Sequence, residues 1–391
     1  MYNLSAIKMA QIELSSRCNA SCPACSRNIS GGPQAPGFTP EDLSLNDIKN
    51  MFDIEILKNM ELINYCGNLG DPGINKDLLE IVTYIKENAS PKLSQIVRTN
   101  GGMRTPEHWS KLGAFFQKTF TPSHPFAHSG VVFSVDGLAD TNHIYRRGVV
   151  WDKVWANMQA YSAAGGYGVW EFLKFDHNKH QIEEAERLAT QLGFTFLVKD
   201  PVGFGEMDGE RRPLQVIDRD GHYEYSIWPH DWVGEKKPPA QTMQYYHSNV
   251  AWTNHTLSEY SQKLSIESTI KCKSLKYENY QEIFITASGH LLPCCYIGGA
   301  LGQRNTSFSR FQFNEKLDEA GIDRFDLRKH SIVEILTSGS FNYLFVESWN
   351  KASAAEGKMQ FCVEVCGESS HIDKIYTVEF YNKSFKKEVD Q

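Results

Sequence analysis

The residues whose types and spacing could do chemistry are the nine cysteines, which fall into two groups and one outlier. Cys18, Cys22 and Cys25 form a C-x3-C-x2-C run in Arg17-Cys18-Asn19-Ala20-Ser21-Cys22-Pro23-Ala24-Cys25. Three thiolates on so short a loop can each hold one corner of a cubane [4Fe-4S] cluster, since soft thiolates select iron–sulfur or zinc. Three ligands rather than four would leave one iron open to a substrate or cofactor, as catalytic metal centres leave a position open. The competing assignment is zinc, completed by a distant Cys or His. Further along stand Cys272, Cys294 and the adjacent Cys295, then Cys362 and Cys366. Two thiols on a hairpin and two on a later helix or turn can make a closed four-thiolate site, for which tetrahedral zinc is again the alternative to iron. Cys66 stands apart and is expected to be a buried structural thiol. An odd number of thiols bunched towards the two ends, with no secretory signal before them, points to metal rather than to a disulfide scaffold.

The elements that must position these thiols follow from hydrophobic periodicity. Ile12–Leu14 leads into the first cysteines. Leu62–Tyr65 runs into Gly67-Asn68-Leu69-Gly70-Asp71-Pro72, Ile96-Val97 into Thr99-Asn100-Gly101-Gly102, and Val131–Val135 into Asp136-Gly137. Val169–Phe175 and Phe194–Val198 read as further strands. Between them, Leu78, Leu79, Ile81, Val82 and Ile85 have helical spacing, and a helix is expected from Trp151 to Ala164. Ile182, Ala185, Leu188, Ala189 and Leu192 share a helical face, with Gly193 as its stop. Six strand-plus-helix units predict an α/β fold, a partial (β/α)6 TIM-like barrel over residues 1–200 with its chemistry at the carboxyl ends of the strands. Residues 201–268, with Trp228, Trp232, Tyr245, Tyr246 and Trp252, read as an irregular bridge packed by its aromatics. A small α+β unit is expected over 269–370: a strand at Glu282–Thr286, a turn at Ser288-Gly289, a return at Leu291-Leu292, and helices at Ile332–Leu336 and Phe341–Trp349. The polar, lysine-rich stretch 371–391 reads as a solvated tail.

Composition limits the partners. Of the 391 residues, 41% are hydrophobic and 22% charged, enough for a sizeable core and incompatible with wholesale disorder. Forty Lys+Arg against 47 Asp+Glu give −7, which argues against affinity for a nucleic-acid backbone or an anionic membrane. No nucleic-acid-binding motif is present, and no run approaches the roughly 18–20 apolar residues of a membrane span. The expectation is a soluble, cytoplasmic protein with neither nucleic acid nor membrane as partner.

With its C-x3-C-x2-C run and further motifs at successive strand ends, the stretch from about residue 10 to 200 resembles the radical S-adenosylmethionine (SAM) enzymes. The resemblance implies a site-differentiated [4Fe-4S] cluster on Cys18, Cys22 and Cys25 whose open iron chelates SAM. One electron then cleaves SAM to methionine and a 5′-deoxyadenosyl radical, which takes a hydrogen atom from a substrate. Gly67–Pro72 is similar to the family's Gly-Gly-Glu-Pro motif, so Gly70 and Asp71 would meet the SAM amino group, with Asp where the family has Glu. Thr99-Asn100-Gly101 is similar to the family's Thr-Asn-Gly and brings in Asn100. Ser134-Val135-Asp136-Gly137, followed by His143 and Arg147-Gly148, resembles Ser-x-Asp-Gly…His…Arg-Gly. By that likeness Ser134 would bond the ribose, with Asp136 in the same motif, and Arg147 or Arg146 would bond the SAM carboxylate. Ala24 stands where the family often has an aromatic. Each element also has a structural alternative: Asp71 as a helix cap, Ser134–Gly137 as a strand-ending turn, and the arginines as solvated charges.

Cys272, Gly289-x4-Cys294 and the pair Cys362-x3-Cys366 resemble the SPASM/twitch extension found behind many such barrels. This implies one auxiliary [4Fe-4S] cluster, held by Cys272, Cys294, Cys362 and Cys366 and suited to electron transfer. Cys295 occupies the place of an Asp in sulfatase-maturing relatives; a hydrogen-donor role, ligand exchange and simple packing all remain open to it. Relatives with this extension often modify peptides or proteins, and others act on small molecules. The implied partners are therefore a peptidyl or small-molecule substrate and a low-potential electron donor such as flavodoxin or ferredoxin. From other classes, a zinc-stapled binding protein and an iron–sulfur carrier that does not cleave SAM also fit the cysteines.

Overall fold

Six apolar runs form strands in chain order: β1 Ile7–Ile12, β2 Leu62–Tyr65, β3 Ser94–Thr99, β4 Gly130–Ser134, β5 Gly168–Leu173 and β6 Thr195–Lys199. The computed structural model describes residues 2–117, 129–201, 204, 206–207, 210–236, 268–275, 278–301 and 308–368. All five pairings from β1 to β6 are parallel and between sequence neighbours, as βαβ units require. Leu62–Tyr65 is buried at every position, which is why it reads as a continuous apolar run rather than an alternation.

Helices cover the sheet where their apolar stripes permit. Leu45–Met51 (α1) and Ile54–Asn59 (α2) precede β2, and Leu78–Asn88 (α3) buries Leu78, Ile81, Val82 and Ile85. Pro106–Phe115 (α4) and Trp151–Ala163 (α6) pack together, with the short Asn142–Tyr145 (α5) between β4 and α6. Ile182–Gln191 (α7) ends at Gly193, whose φ of 67° supplies the left-handed stop expected there. An aromatic cluster ties these layers. Phe133 stacks on Phe194 at 5.5 Å and meets Tyr161 edge-on at 5.5 Å, with Trp109 at 5.3 Å. Helices α1 and α2 were not read from periodicity, although Ser44 and Asp47 form a capping box at the start of α1.

Past β6 the chain is more regular than an irregular bridge. Glu206–Met207 (β7) pairs with Glu210–Arg211 (β8), and Leu214–Ile217 (β9) pairs with Tyr223–Ile227 (β10). Trp228 and Trp232 do pack, at 4.8 Å between ring centroids, whereas Tyr245, Tyr246 and Trp252 lie outside the described residues. So does the tail 371–391. The expected hairpin is Gln281–Ile285 (β11) and Leu291–Leu292 (β12), and it does not stand apart from the sheet. Strand β11 pairs in parallel with the free edge of β1, giving one eight-stranded sheet in the order β12-β11-β1-β2-β3-β4-β5-β6. Helices follow at Phe308–Ala320, Ile332–Thr337 and Gln360–Cys366, with a π-helical turn at Asn342–Glu347.

Candidate active site and four-thiol cage

The cysteine loop leaves the carboxyl end of β1 and is held by the loops that follow β2 and β3. Gly70 packs against it so closely that a Cβ there would overlap the Ser15 carbonyl oxygen. The Asp71 amide donates to the Arg17 carbonyl at 2.8 Å, so the loop after β2 is clamped directly to the residue before Cys18. Glu13, which sequence reasoning passed over, is 1% exposed and accepts the Leu69 and Gly70 amides at 2.6 and 3.2 Å. Burial raises its carboxyl to about 7 against the pull of those amides. Its signal was there to find: a lone acid between Ile12 and Leu14, directly before the cysteines.

Asp71 is fully enclosed and accepts three hydrogen bonds: from the Gly73 amide (2.9 Å), Thr99 Oγ1 (2.8 Å) and the Asn100 amide (2.7 Å). The first is the capping bond of the structural alternative. The other two join the end of β2 to the end of β3. Asn100 in turn directs Nδ2 to Asn19 Oδ1 at 2.8 Å and to Cys18 Sγ at 3.5 Å. Asn19, another residue the motifs did not single out, thus couples the cysteine loop to β3.

From the end of β4 comes Asp136, with Ser134 half-buried two residues before it. Asp136 is completely buried and accepts the Leu173 amide at 2.7 Å and Arg146 Nε at 2.5 Å. Arg146 sends another nitrogen, Nη1, to within 3.7 Å of Cys22 Sγ and lies over the Tyr145 ring at 5.3 Å. Burial opposes its charge, but Asp136 and Cys22 outweigh that and raise its pKa above the ordinary arginine value. Arg147 points elsewhere, pairing with Glu224 and Tyr225 of β10. Neither arginine is merely solvated: Arg146 is the one whose side chain reaches a cysteine, while Arg147 accepts the Ser21 amide of the cysteine loop on its backbone carbonyl at 2.8 Å. His143 is exposed.

Cys18 therefore meets Asn100 from the end of β3, and Cys22 meets Arg146 from the segment after β4. Burial pushes Cys18 up to about 12, with Asp71 adding to it, and Cys22 to about 11 despite Arg146. Cys25 is raised by burial too, with Asn68 O 4.0 Å from its sulfur. A thiophilic metal would displace these protons, and three soft thiol donors on one loop are the donor type an iron–sulfur cluster takes.

The second group converges as well. Cys272, Cys294, Cys362 and Cys366 line one small cavity walled by Ile270, Pro293, Ile297, Trp349, Phe361 and Val365. Cys362 and Cys366 are one turn apart on the same helix, and the Cys366 carbonyl accepts the Lys271 amide at 3.0 Å beside Cys272. Burial raises Cys272 to about 12, with Cys366 adding to it, and drives Cys294 and Cys362 well above the ordinary thiol value. Four cysteines lining one apolar cavity suit a thiolate-bound metal centre, since soft thiolates are the donors such a centre takes. Cys295 does not line this cavity.

On the other side of the sheet from Trp170 and Phe172, Glu171 accepts Arg98 Nη1 at 2.9 Å and Lys199 Nζ at 2.5 Å. Burial works to raise its carboxyl, and the two cations outweigh it and hold it at about 2.

No family model matches the chain, and no curated protein does. Among solved structures, anSMEcpe with bound AdoMet is similar over 97% of this chain and 91% of its own, at 11% identity and a TM-score of 0.47. SuiB of Streptococcus suis bound to S-adenosylmethionine is similar over 75% of this chain, at 14% identity and a TM-score of 0.45. SuiB bound to its precursor peptide SuiA gives 15% identity and a TM-score of 0.43. This chain spans 61% of the length of SuiB. At such identities and scores the likenesses carry no argument about the site, which stands on the residues above.

Proposed function

We propose that the chain is a radical SAM enzyme that abstracts a hydrogen atom from a peptide or protein substrate. One observation carries this reading: Cys18 is met by Asn100, whose amide Asp71 holds, and Cys22 by Arg146, which Asp136 holds, and these residues come from the loops that follow successive parallel strands. In this reading Cys18, Cys22 and Cys25 hold a site-differentiated [4Fe-4S] cluster, and Cys272, Cys294, Cys362 and Cys366 hold an auxiliary one. When bound, the first cluster with SAM supplies the 5′-deoxyadenosyl radical.

The chain's own residues position and shield. Arg146, kept charged by Asp136, offers a cation beside Cys22 for the SAM carboxylate. Gly70 brings backbone close to the cysteine loop, and Asp71 with Asn100 fixes the loops after β2 and β3 on the amino-group side. Ser134 sits at the strand end for the ribose. The substrate would lie against the sheet face that carries Glu171, and a low-potential carrier such as flavodoxin or ferredoxin would supply the electron. Residues 1–200 would be the barrel, 269–370 the twitch-like unit, and the protein cytoplasmic. Peptidyl substrates are preferred over small molecules because relatives with the second cysteine group often modify peptides.

Anaerobic reconstitution of the full chain with iron and sulfide tests the assignment. About eight irons per chain are expected, with a reduced-state EPR spectrum that shifts when SAM is added. A colourless protein that takes up zinc at both sites contradicts it.

A further inference from the structure

Hydrogen-bond donors of the chain face the sulfurs of the four-thiol cage. At Cys272, burial and the neighbouring Cys366 raise the thiol, and the Ser274 and Leu275 amides and the Ser274 hydroxyl pull against them. At Cys294 the Ile297 amide pulls against burial in the same way. Both sets of amides come from the helical turn that directly follows the cysteine, Lys273–Leu275 and Cys295–Gly298.

The donor at Cys362 comes from another element. Trp349 lines the same cavity from just past the π-helical turn Asn342–Glu347. A π-helical turn spans more residues than an α-helical one and so rotates the side chains that follow it, a device frequent at functional sites. Trp349 Nε1 is buried and has no hydrogen-bond partner of normal geometry among the described residues. Burial, Cys272 and Cys366 raise the Cys362 thiol, and the Trp349 side chain works against them, towards the thiolate. An indole N–H donates and cannot accept, and a buried one ordinarily finds a partner. A neutral thiol is a weak acceptor, so this donor gains little while Cys362 is S–H. Loss of the thiol proton turns the same sulfur into a charged acceptor and makes the contact charge-assisted.

We propose that Trp349 donates its indole N–H to the Cys362 thiolate of the metal-loaded cage and holds the reduction potential of that centre up, an inference that rests on the auxiliary-cluster reading above. Reduction adds one electron to the centre and draws more negative charge onto its sulfurs. A donor fixed beside one sulfur stabilises the reduced state more than the oxidised one, a lever by which proteins set such potentials. The indole is neutral, so it adds no charge to the cage, and no proton moves with the electron. Trp349 is thus a positioning residue that acts through Cys362, not a ligand.

The test is a redox titration of the reconstituted full chain followed by EPR, in which the cage centre is the one whose spectrum SAM leaves unchanged. Trp349→Phe keeps the ring and removes the donor. It should hold the wild-type iron content and move the cage midpoint to a more negative potential, with the SAM-sensitive centre where it was. Trp349→His, which returns a ring N–H, should bring the midpoint back towards wild type. An unchanged cage midpoint in Trp349→Phe, or an equal shift at both centres, would overturn the assignment. If Trp349→Phe loses iron at the cage, retention by Trp349→His supports the donor, whereas loss in both places the role in ring packing and overturns it. A wild type that takes up iron only at the first site overturns the auxiliary-cluster reading itself, a result distinct from the others.

Discussion

At the scale of single residues, Arg146 joins stability to chemistry. It neutralises the completely buried Asp136 and reaches Cys22, so truncating it leaves a buried charge with the Leu173 amide but no countercharge. Arg146→Ala should cost about 3–5 kcal/mol in chemical denaturation, and it should weaken SAM binding in whatever fraction remains folded. Unchanged stability would show that Asp136 is protonated and not paired. Glu171 gives a pH-dependent counterpart. Its folded pKa of about 2 lies below the ordinary 4.5, so its contribution is present above about pH 4.5 and fades as the pH falls through 2. Glu171→Gln should therefore be less stable than wild type by about 3 kcal/mol at pH 7. The gap should narrow steadily in denaturation series between pH 5 and pH 3. A gap independent of pH would place the loss in packing instead.

At the scale of elements, the loop between β2 and α3 is a clamp more than a ligand arm. Gly70→Ala would press a methyl group onto the Ser15 carbonyl and move the cysteine loop. We expect the circular dichroism of wild type but roughly half its iron after reconstitution, since only the first site depends on that contact; full iron would refute the clamp. This element shows how far sequence carries. The strand ends were legible because apolar runs stop at Gly-, Asn- and Asp-rich turns, and the six-strand order follows from βαβ connection rules. That Cys272, Cys294, Cys362 and Cys366 would come together, as the four do in lining one cavity, was legible from the family resemblance, with the spacing alone leaving Cys295 as a rival. Which arginine faces the cysteines was not, because Arg146 and Arg147 are adjacent and only backbone direction at the end of α5 separates them. The parallel pairing of β11 with β1 was also hidden. It joins segments some 270 residues apart, and Gln281–Ile285 carries no local mark of which edge it will find. Glu13 and Asn19 escaped because they act by holding loops, and no motif spacing marks a residue that bonds backbone amides.

At the scale of the whole molecule, one sheet carries both thiol groups. The cysteine loop leaves the end of β1, and the hairpin leading to Cys294 pairs with that same strand. The cysteine loop and the Cys294 hairpin thus hang from neighbouring strands of one sheet, while Cys362 and Cys366 come to the second group from a helix. Cys366→Ala should therefore remove the second group's iron while SAM binding at the first, read by the EPR shift, is retained; loss of both would mean that the cage is needed for the barrel to fold. The central claim is that this chain cleaves SAM at the C-x3-C-x2-C site. The most direct measurement is 5′-deoxyadenosine by mass spectrometry after SAM and dithionite are added to the anaerobically reconstituted protein. The account predicts 5′-deoxyadenosine from the wild type and none from Cys22→Ala. Equal formation by Cys22→Ala, or none from a wild type with its iron intact, would contradict it.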